Sequence, residues 1–312
     1  MKSNDLIPAI ITAGSAYLDI DAYACMVAMS ELYRLQGREA VAYSRAACNY
    51  SVVPSLVQEG QVLRELPSEE WERKAGYVIV DVSDPEFLKQ SVPLERVTAV
   101  YDHHVGFEAY WQARIGSNAR IEFIGAAATL IYREWKNAGL EHRMPRDCAR
   151  LLIAAILDNT LDLTSANTTD EDRNAFRELC VLAGVEEPWR GRYFSEVQQI
   201  VEADLKNALL GDLKTVRGNP VLPPLVAQLC VWDAESILTR LPQIRQWFRA
   251  LPEPWMINVI ELRHRCNYFV CEDACCQSKI ESVFNVTFQS GAARTDRTYL
   301  RKELIKITHT IV

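Results

Sequence analysis

The sequence predicts an α/β protein: a doubly wound parallel sheet followed by a smaller mixed α+β domain, with its active site in the cleft between them. Three observations carry that expectation. Short apolar runs alternate with helical patterns through the amino-terminal half, several of those runs lead directly into aspartates, and beyond residue 192 the alternation gives way to helical spacing mixed with alternating strands. Open α/β sheets keep their ligands outside the carboxyl ends of the strands, so acids in those places read as a site.

Taken in order, residues 9–13 form an apolar strand that runs into a loop holding Ser15, Asp19 and Asp21. Residues 22–35 have helical spacing and are closed by Gly37, and residues 40–43 make a second short strand. The run 77–80 ends in Asp81, and the run 97–101 ends in Asp102-His103-His104, which gathers two of the five histidines behind a carboxylate. Continuous apolar runs of this length are the mark of parallel strands buried on both faces. Residues 121–124 form a further strand, after which Gly125, Ala126, Ala127, Ala128 and Thr129 open a helix continuing through Trp135. Small residues at a helix start let backbone N–H groups approach an anion, which suggests a modest phosphate site there.

Residues 148–157 predict an apolar helix with Asp158 late in it, just before Asn159 and Thr160. Thr168, Thr169, Asp170, Glu171 and Asp172 look like a helix start whose acids complement the macrodipole, and the helix ends near Gly184. The segment 186–192, with Pro188 and Gly191, reads as a linker, which gives domains over 1–185 and 193–312. In the second domain residues 194–210 are helically spaced and contain Lys206. Residues 256–262 and 268–270 read as strands, and 299–307 as a strand presenting Arg301 and Lys302.

Composition narrows the function classes. The chain has 312 residues, 49% of them apolar and 24% charged, as expected of a globular protein of two ordinary domains. A net charge of -7 without a basic run argues against nucleic acid as a partner. No apolar run is long enough for a membrane, and the start of the chain lacks the features of a leader, so the expected place is the cytoplasm. Nine scattered cysteines suit reduced thiols. The cluster Cys266, Cys271, Cys275 and Cys276 lacks the paired spacing of a zinc module and reads as small apolar residues on strands.

A lone aspartate at a strand end is usually a cap, but Asp19, Asp21, Asp81, Asp102-His103-His104 and Asp158 form a set of hard and borderline donors. In this order they resemble the motifs of the DHH phosphoesterase superfamily, and within it the branch of family II inorganic pyrophosphatases, exopolyphosphatases and prune-like proteins. Asp204-Leu205-Lys206, the stretch 227–231 and Arg301-Lys302 resemble the second domain of that branch. The glycine-rich loop ending in His that marks the nuclease branch is missing, since Ser290-Gly291-Ala292-Ala293 has one Gly and no His.

The resemblance implies two divalent cations, Mn²⁺ or Mg²⁺ with Co²⁺ an option, bound by Asp19, Asp21, Asp81, His103 and Asp158, with Asp81 bridging. Asp102 would orient one of the two imidazoles. A hydroxide shared by the cations would attack a small anionic phosphate substrate, with His104, Lys206, Arg301 and Lys302 gripping it. The implied activity is hydrolysis of pyrophosphate or short polyphosphate by a monomer or homodimer. A nucleotide or short-oligonucleotide phosphodiesterase and a non-catalytic binding or regulatory module are the alternatives. Ser15 stands where family II pyrophosphatases have a His; exopolyphosphatases and prune-like proteins also lack that His, so this departure from the resemblance points toward them. A missing imidazole should weaken Mn²⁺ or Co²⁺ at the first site and make Mg²⁺ relatively more acceptable.

Overall fold

In the computed structural model, residues 7–14 and 17–309 are described, so Ser15 lies outside the described residues. The chain divides into two compact units, Met1–Trp189 and Arg190–Val312.

The first unit is built on five parallel strands: β1 (Ala9–Thr12), β2 (Ala40–Ala42), β3 (Gly76–Val80), β4 (Val97–Asp102) and β5 (Ala119–Ile121). Their order across the sheet is β2-β1-β3-β4-β5. Every residue of β1 and β3 is buried, which is why their sequences are continuous apolar runs. The chain leaves β1 for β2 on one side and returns to β3 on the other. The sheet therefore switches direction between β1 and β3, and the crevice outside their carboxyl ends is where the topology leaves room for a ligand.

Four helices matter to that crevice: α1 (Ile20–Leu35), α2 (Ala127–Asn137), α3 (Arg146–Asn159) and α4 (Asp170–Ala183). Helix α1 packs on α2 and α3, and α3 on α4. Another layer is filled by Ile10, Ile79, Val100 and Trp111, with the Trp111 indole donating to the Ser83 carbonyl at 2.7 Å. Helix α4 starts with a capping box between Thr169 and Asp172 and stops at Gly184 in the left-handed region, as its sequence predicts.

The segment 186–192 differs from the linker expected of it. A helix, α5 (Pro188–Ala203), begins at Pro188, because the first helical position needs no N–H and suits the fixed φ of proline. Gly191 serves packing within that helix: a Cβ there would lie 3.3 Å from the Trp232 ring. The expected helix over 194–210 is broken at Asp204, with φ -138°, before the short α6 (Leu205–Gly211).

The second unit carries a mixed sheet of β6 (Lys214–Thr215), β7 (Leu225–Val231), β8 (Trp255–Glu261), β9 (Cys266–Cys271) and β10 (Ala292–Thr295), in the order β10-β9-β8-β7-β6. Strands β7 and β8 are parallel and the other pairs antiparallel. Its core includes Val226, Met256, Phe269, Ile280 and Leu304. The expected strand over 299–307 is instead a helix, α7 (Arg301–His309), because Leu304 and Thr308, four residues apart, are buried on one face. Among the described residues no helix is long and apolar enough to cross a membrane.

Candidate metal centre

Asp81 follows the last residue of β3, and its backbone N–H still pairs with the Tyr101 carbonyl of β4 at 2.8 Å. Its φ of 58° puts a non-glycine residue in the left-handed region, a conformation Asp tolerates better than most but which costs energy all the same. That turn re-aims the carboxylate: Asp81 Oδ1 lies 3.3 Å from His103 Nε2. Both atoms are buried and neither makes a hydrogen bond.

His103 comes off the end of β4. Its Nδ1 donates to the Ile124 carbonyl at 3.3 Å, which assigns the proton to Nδ1 and leaves the lone pair on Nε2. The same Nε2 is 3.9 Å from Asp21 Oδ2. The next residue, His104, is steadied by Asp102: one Asp102 oxygen accepts from the His104 backbone N–H at 3.1 Å and from Nδ1 at 2.9 Å. Of the two imidazoles Asp102 could orient, it orients His104, whose side chain remains 66% exposed.

Asp19 is the N-cap of α1, with Oδ1 accepting from the Ala22 amide at 2.9 Å. Asp21, in the first turn of α1, is fully buried. Its two oxygens accept from the Ala127 and Ala128 amides, both at 2.8 Å, and the Cys25 thiol donates to Oδ1 at 3.4 Å. The small residues at the start of α2 do receive an anion, as their sequence suggested, but it is the protein's own carboxylate and not a phosphate.

Electrostatics reflect this crowding. Burial pushes the Asp21 pKa up to about 6, the neighbouring Asp19 adds to the rise, and His103 and the two amides oppose it. Burial and the charges of Asp21 and Asp19 raise the Asp81 pKa well above the carboxylate range. Burial works against ionisation of Asp102 too, yet the hydrogen bonds and charge of His104 bring its pKa below the ordinary value. The bond to Asp102 raises the His104 pKa, against desolvation and the His103 ring.

A divalent cation fits this arrangement. The ligand atoms of Asp81, His103 and His104 lie within 4.8 Å of one another, and Asp81 Oδ1 and His103 Nε2 face the same space without a proton donor between them. Carboxylate oxygen with imidazole nitrogen suits Mn²⁺ and Co²⁺, and the oxygens alone suit Mg²⁺.

The remaining residues expected at the site lie as follows. Asp158 is half-buried in the last turn of α3, outside that cluster of three. Lys206 and Lys302 are exposed on α6 and at the start of α7. Arg301, expected at the substrate, has its guanidinium forked onto the Asp212 carboxylate, with one contact at 3.2 Å, and also donates to the Asp212 carbonyl at 2.8 Å and the Val226 carbonyl at 3.1 Å. Cys266 and Cys271 are buried, Cys276 is half-buried and Cys275 exposed, and among the described residues no metal-capable group includes them. Sequence reasoning missed the Ile124 carbonyl and Cys25, which carry no motif, and read Asp172 only as part of a helix start.

Fold and site together define a two-unit α/β protein with a carboxylate–imidazole cluster able to hold a metal ion at the switch point of a parallel sheet. No family model matches the chain. A protein of Exiguobacterium sp. named as a manganese-dependent inorganic pyrophosphatase is 22% identical over 321 residues, 95% of this chain and 96% of its own. One of the same name from Deinococcus radiodurans is 29% identical over 221 residues, 66% of this chain and 65% of its own. Among solved structures, a Methanococcus jannaschii protein assigned to the family II inorganic pyrophosphatases superposes with a TM-score of 0.60 at 15% identity, covering 97% of this chain and 99% of the other. An exopolyphosphatase-related protein of Bacteroides fragilis gives 0.52 at 12% identity, covering 98% and 91%. The chain is thus similar in sequence to proteins named as manganese-dependent inorganic pyrophosphatases and in fold to a family II pyrophosphatase and an exopolyphosphatase-related protein, in keeping with the resemblance to the DHH phosphoesterase superfamily.

Proposed function

We propose that the chain is a metal-dependent phosphoanhydride hydrolase acting on inorganic pyrophosphate, and on short polyphosphate as a longer form of the same substrate. The observation that carries this reading is the pair Asp81 Oδ1 and His103 Nε2, buried 3.3 Å apart with no hydrogen bond to either. Leaving such atoms unpaired costs roughly 1–3 kcal/mol each, which a bound cation offsets. The activity in the names of the relatives that align along nearly their whole length supports pyrophosphate as the substrate.

We assign Asp81 to two Mn²⁺ or Mg²⁺ ions, Asp19 to the first, and Asp21, His103 and Asp158 to the second. When bound, such a pair lowers the pKa of water and neutralises phosphoryl oxygens. The chain's own residues do the rest. Ile124 and the amides of Ala127 and Ala128 hold His103 and Asp21 in place. His104, with Nδ1 committed to Asp102 and its proton held more firmly than usual, uses Nε2 to donate to a phosphoryl oxygen of the substrate. Lys206 and Lys302, exposed cations on the second unit, supply charge for the phosphate. The negative net charge and the absence of a basic run argue against nucleic acid as the partner, and we place the activity in the cytoplasm.

The test is phosphate release from pyrophosphate, tripolyphosphate and long polyphosphate, measured side by side with Mn²⁺ and with Mg²⁺. Release from pyrophosphate that needs the metal and stops with EDTA is the expected result. Metal-independent release, or none from any of the three substrates, would overturn the reading.

A further inference from the structure

We propose that Asp172, which is not a ligand, is a positioning residue for the metal centre: it pins the turn 124–128, and that turn sets both His103 and Asp21. The inference rests on the metal reading above. In five consecutive residues the turn makes three kinds of bond. The Ile124 carbonyl accepts from His103 Nδ1 at 3.3 Å. The Gly125 amide donates to Asp172 Oδ2 at 2.9 Å. The Ala127 and Ala128 amides donate to the two oxygens of Asp21 at 2.8 Å each.

His103 arrives from β4 and Asp21 from α1, so this turn is a shared support for two side chains brought in by different elements. Asp172 fixes the support from behind. It is fully buried, and its carboxylate accepts from Gly125, from Thr129 Oγ1 at 2.6 Å, and from the Thr169 amide and hydroxyl at 2.7 Å each. The fit is close: a Cβ on Gly125 would lie 2.6 Å from Asp172 Oδ2 and 2.6 Å from the Thr160 methyl. Arg133, from the middle of α2, adds a second tie by bonding Glu122 and Glu171 on either side. Without the carboxylate, the Gly125 N–H loses its acceptor and the turn can shift. The Ile124 carbonyl would then no longer hold the imidazole ring to one orientation.

Mn²⁺ titration of the metal-free full-length chain by calorimetry, with thermal unfolding of each variant, tests this. Asp172→Ala should bind Mn²⁺ about tenfold more weakly than wild type, the low end of what outer partners of metal ligands contribute. Asp172→Asn should recover most of that loss, because its amide oxygen can still accept from Gly125 while the Thr129 hydroxyl turns to accept from its NH₂. Thr169→Ala, which removes the cap of α4 but keeps Gly125 and Thr129 on Asp172, should unfold at lower temperature and bind Mn²⁺ as wild type does. If Asp172→Ala does not fold, Thr129→Val takes its place, with severalfold weaker binding expected. Wild-type affinity in Asp172→Ala or its replacement, or a loss in Thr169→Ala as large as in Asp172→Ala, would overturn the proposal. A wild-type chain that binds no Mn²⁺ would instead remove the metal reading beneath it.

Discussion

Asp21 shows what it takes to keep a carboxylate usable inside a protein. Burial drives its pKa to about 6, and the Ala127 and Ala128 amides are present to limit that rise. The folded, metal-free chain therefore holds this proton more tightly than the unfolded chain, whose value is near 3.8. The sign follows: the stability Asp21 contributes is full below about pH 4 and is lost as pH rises through about 6, a change of about 3 kcal/mol. Thermal unfolding in EDTA should show wild type losing stability across that window relative to Asp21→Asn. Mn²⁺ should restore it near neutral pH by taking the place of the proton. Parallel pH profiles for the two proteins would mean that Asp21 is not the strained group described here. Asp81, with the same neighbours and a left-handed backbone, acts in the same direction.

At the scale of elements, α7 is bolted to the sheet by Arg301, which reaches Asp212 and the Val226 carbonyl on β7. Arg301→Ala should lower stability by about 2 kcal/mol, since it removes the guanidinium from two carbonyls and from the Asp212 carboxylate, which keeps only the Gln228 amide as a donor. The expected readout is a lower Tm with unchanged Mn²⁺ affinity; an unchanged Tm would free this arginine for the substrate after all. The helix itself was hidden in the sequence by a stretch that also fits strand alternation, although Glu303 accepting from the Leu300 amide at 2.7 Å is a helix-start signal in hindsight. Strands β3 and β4 were legible together with the acids at their ends, because strands buried on both faces read as nearly continuous apolar runs, broken in β4 only by half-buried Thr98 before the terminal Asp102. The start of α2 was legible as an anion site as well. Which anion would meet it was not, since the bond between Ala127 and Asp21 joins residues far apart in the chain and depends on tertiary packing that no local pattern encodes.

At the scale of the whole molecule, the residues proposed for the metal and those proposed for the substrate fall in different units. Asp19, Asp21, Asp81, His103, His104 and Asp158, and the groups that orient them, all come from Met1–Trp189, whereas Lys206 and Lys302 come from Arg190–Val312. Each unit also has its own sheet and its own apolar core, so the first does not need the second to bury its strands. A fragment ending before Pro188, where α5 begins, should therefore fold and bind Mn²⁺ with an affinity within about threefold of the full chain. It should hydrolyse pyrophosphate about a hundredfold more slowly, because the cations proposed to align the substrate are gone while the proposed metal ligands remain. Calorimetry and phosphate release on the same preparation separate the two effects. A folded fragment that binds no Mn²⁺ would place a ligand in the second unit. One that retains the full rate would remove Lys206 and Lys302 from the reaction and leave the metal centre to hold its substrate alone.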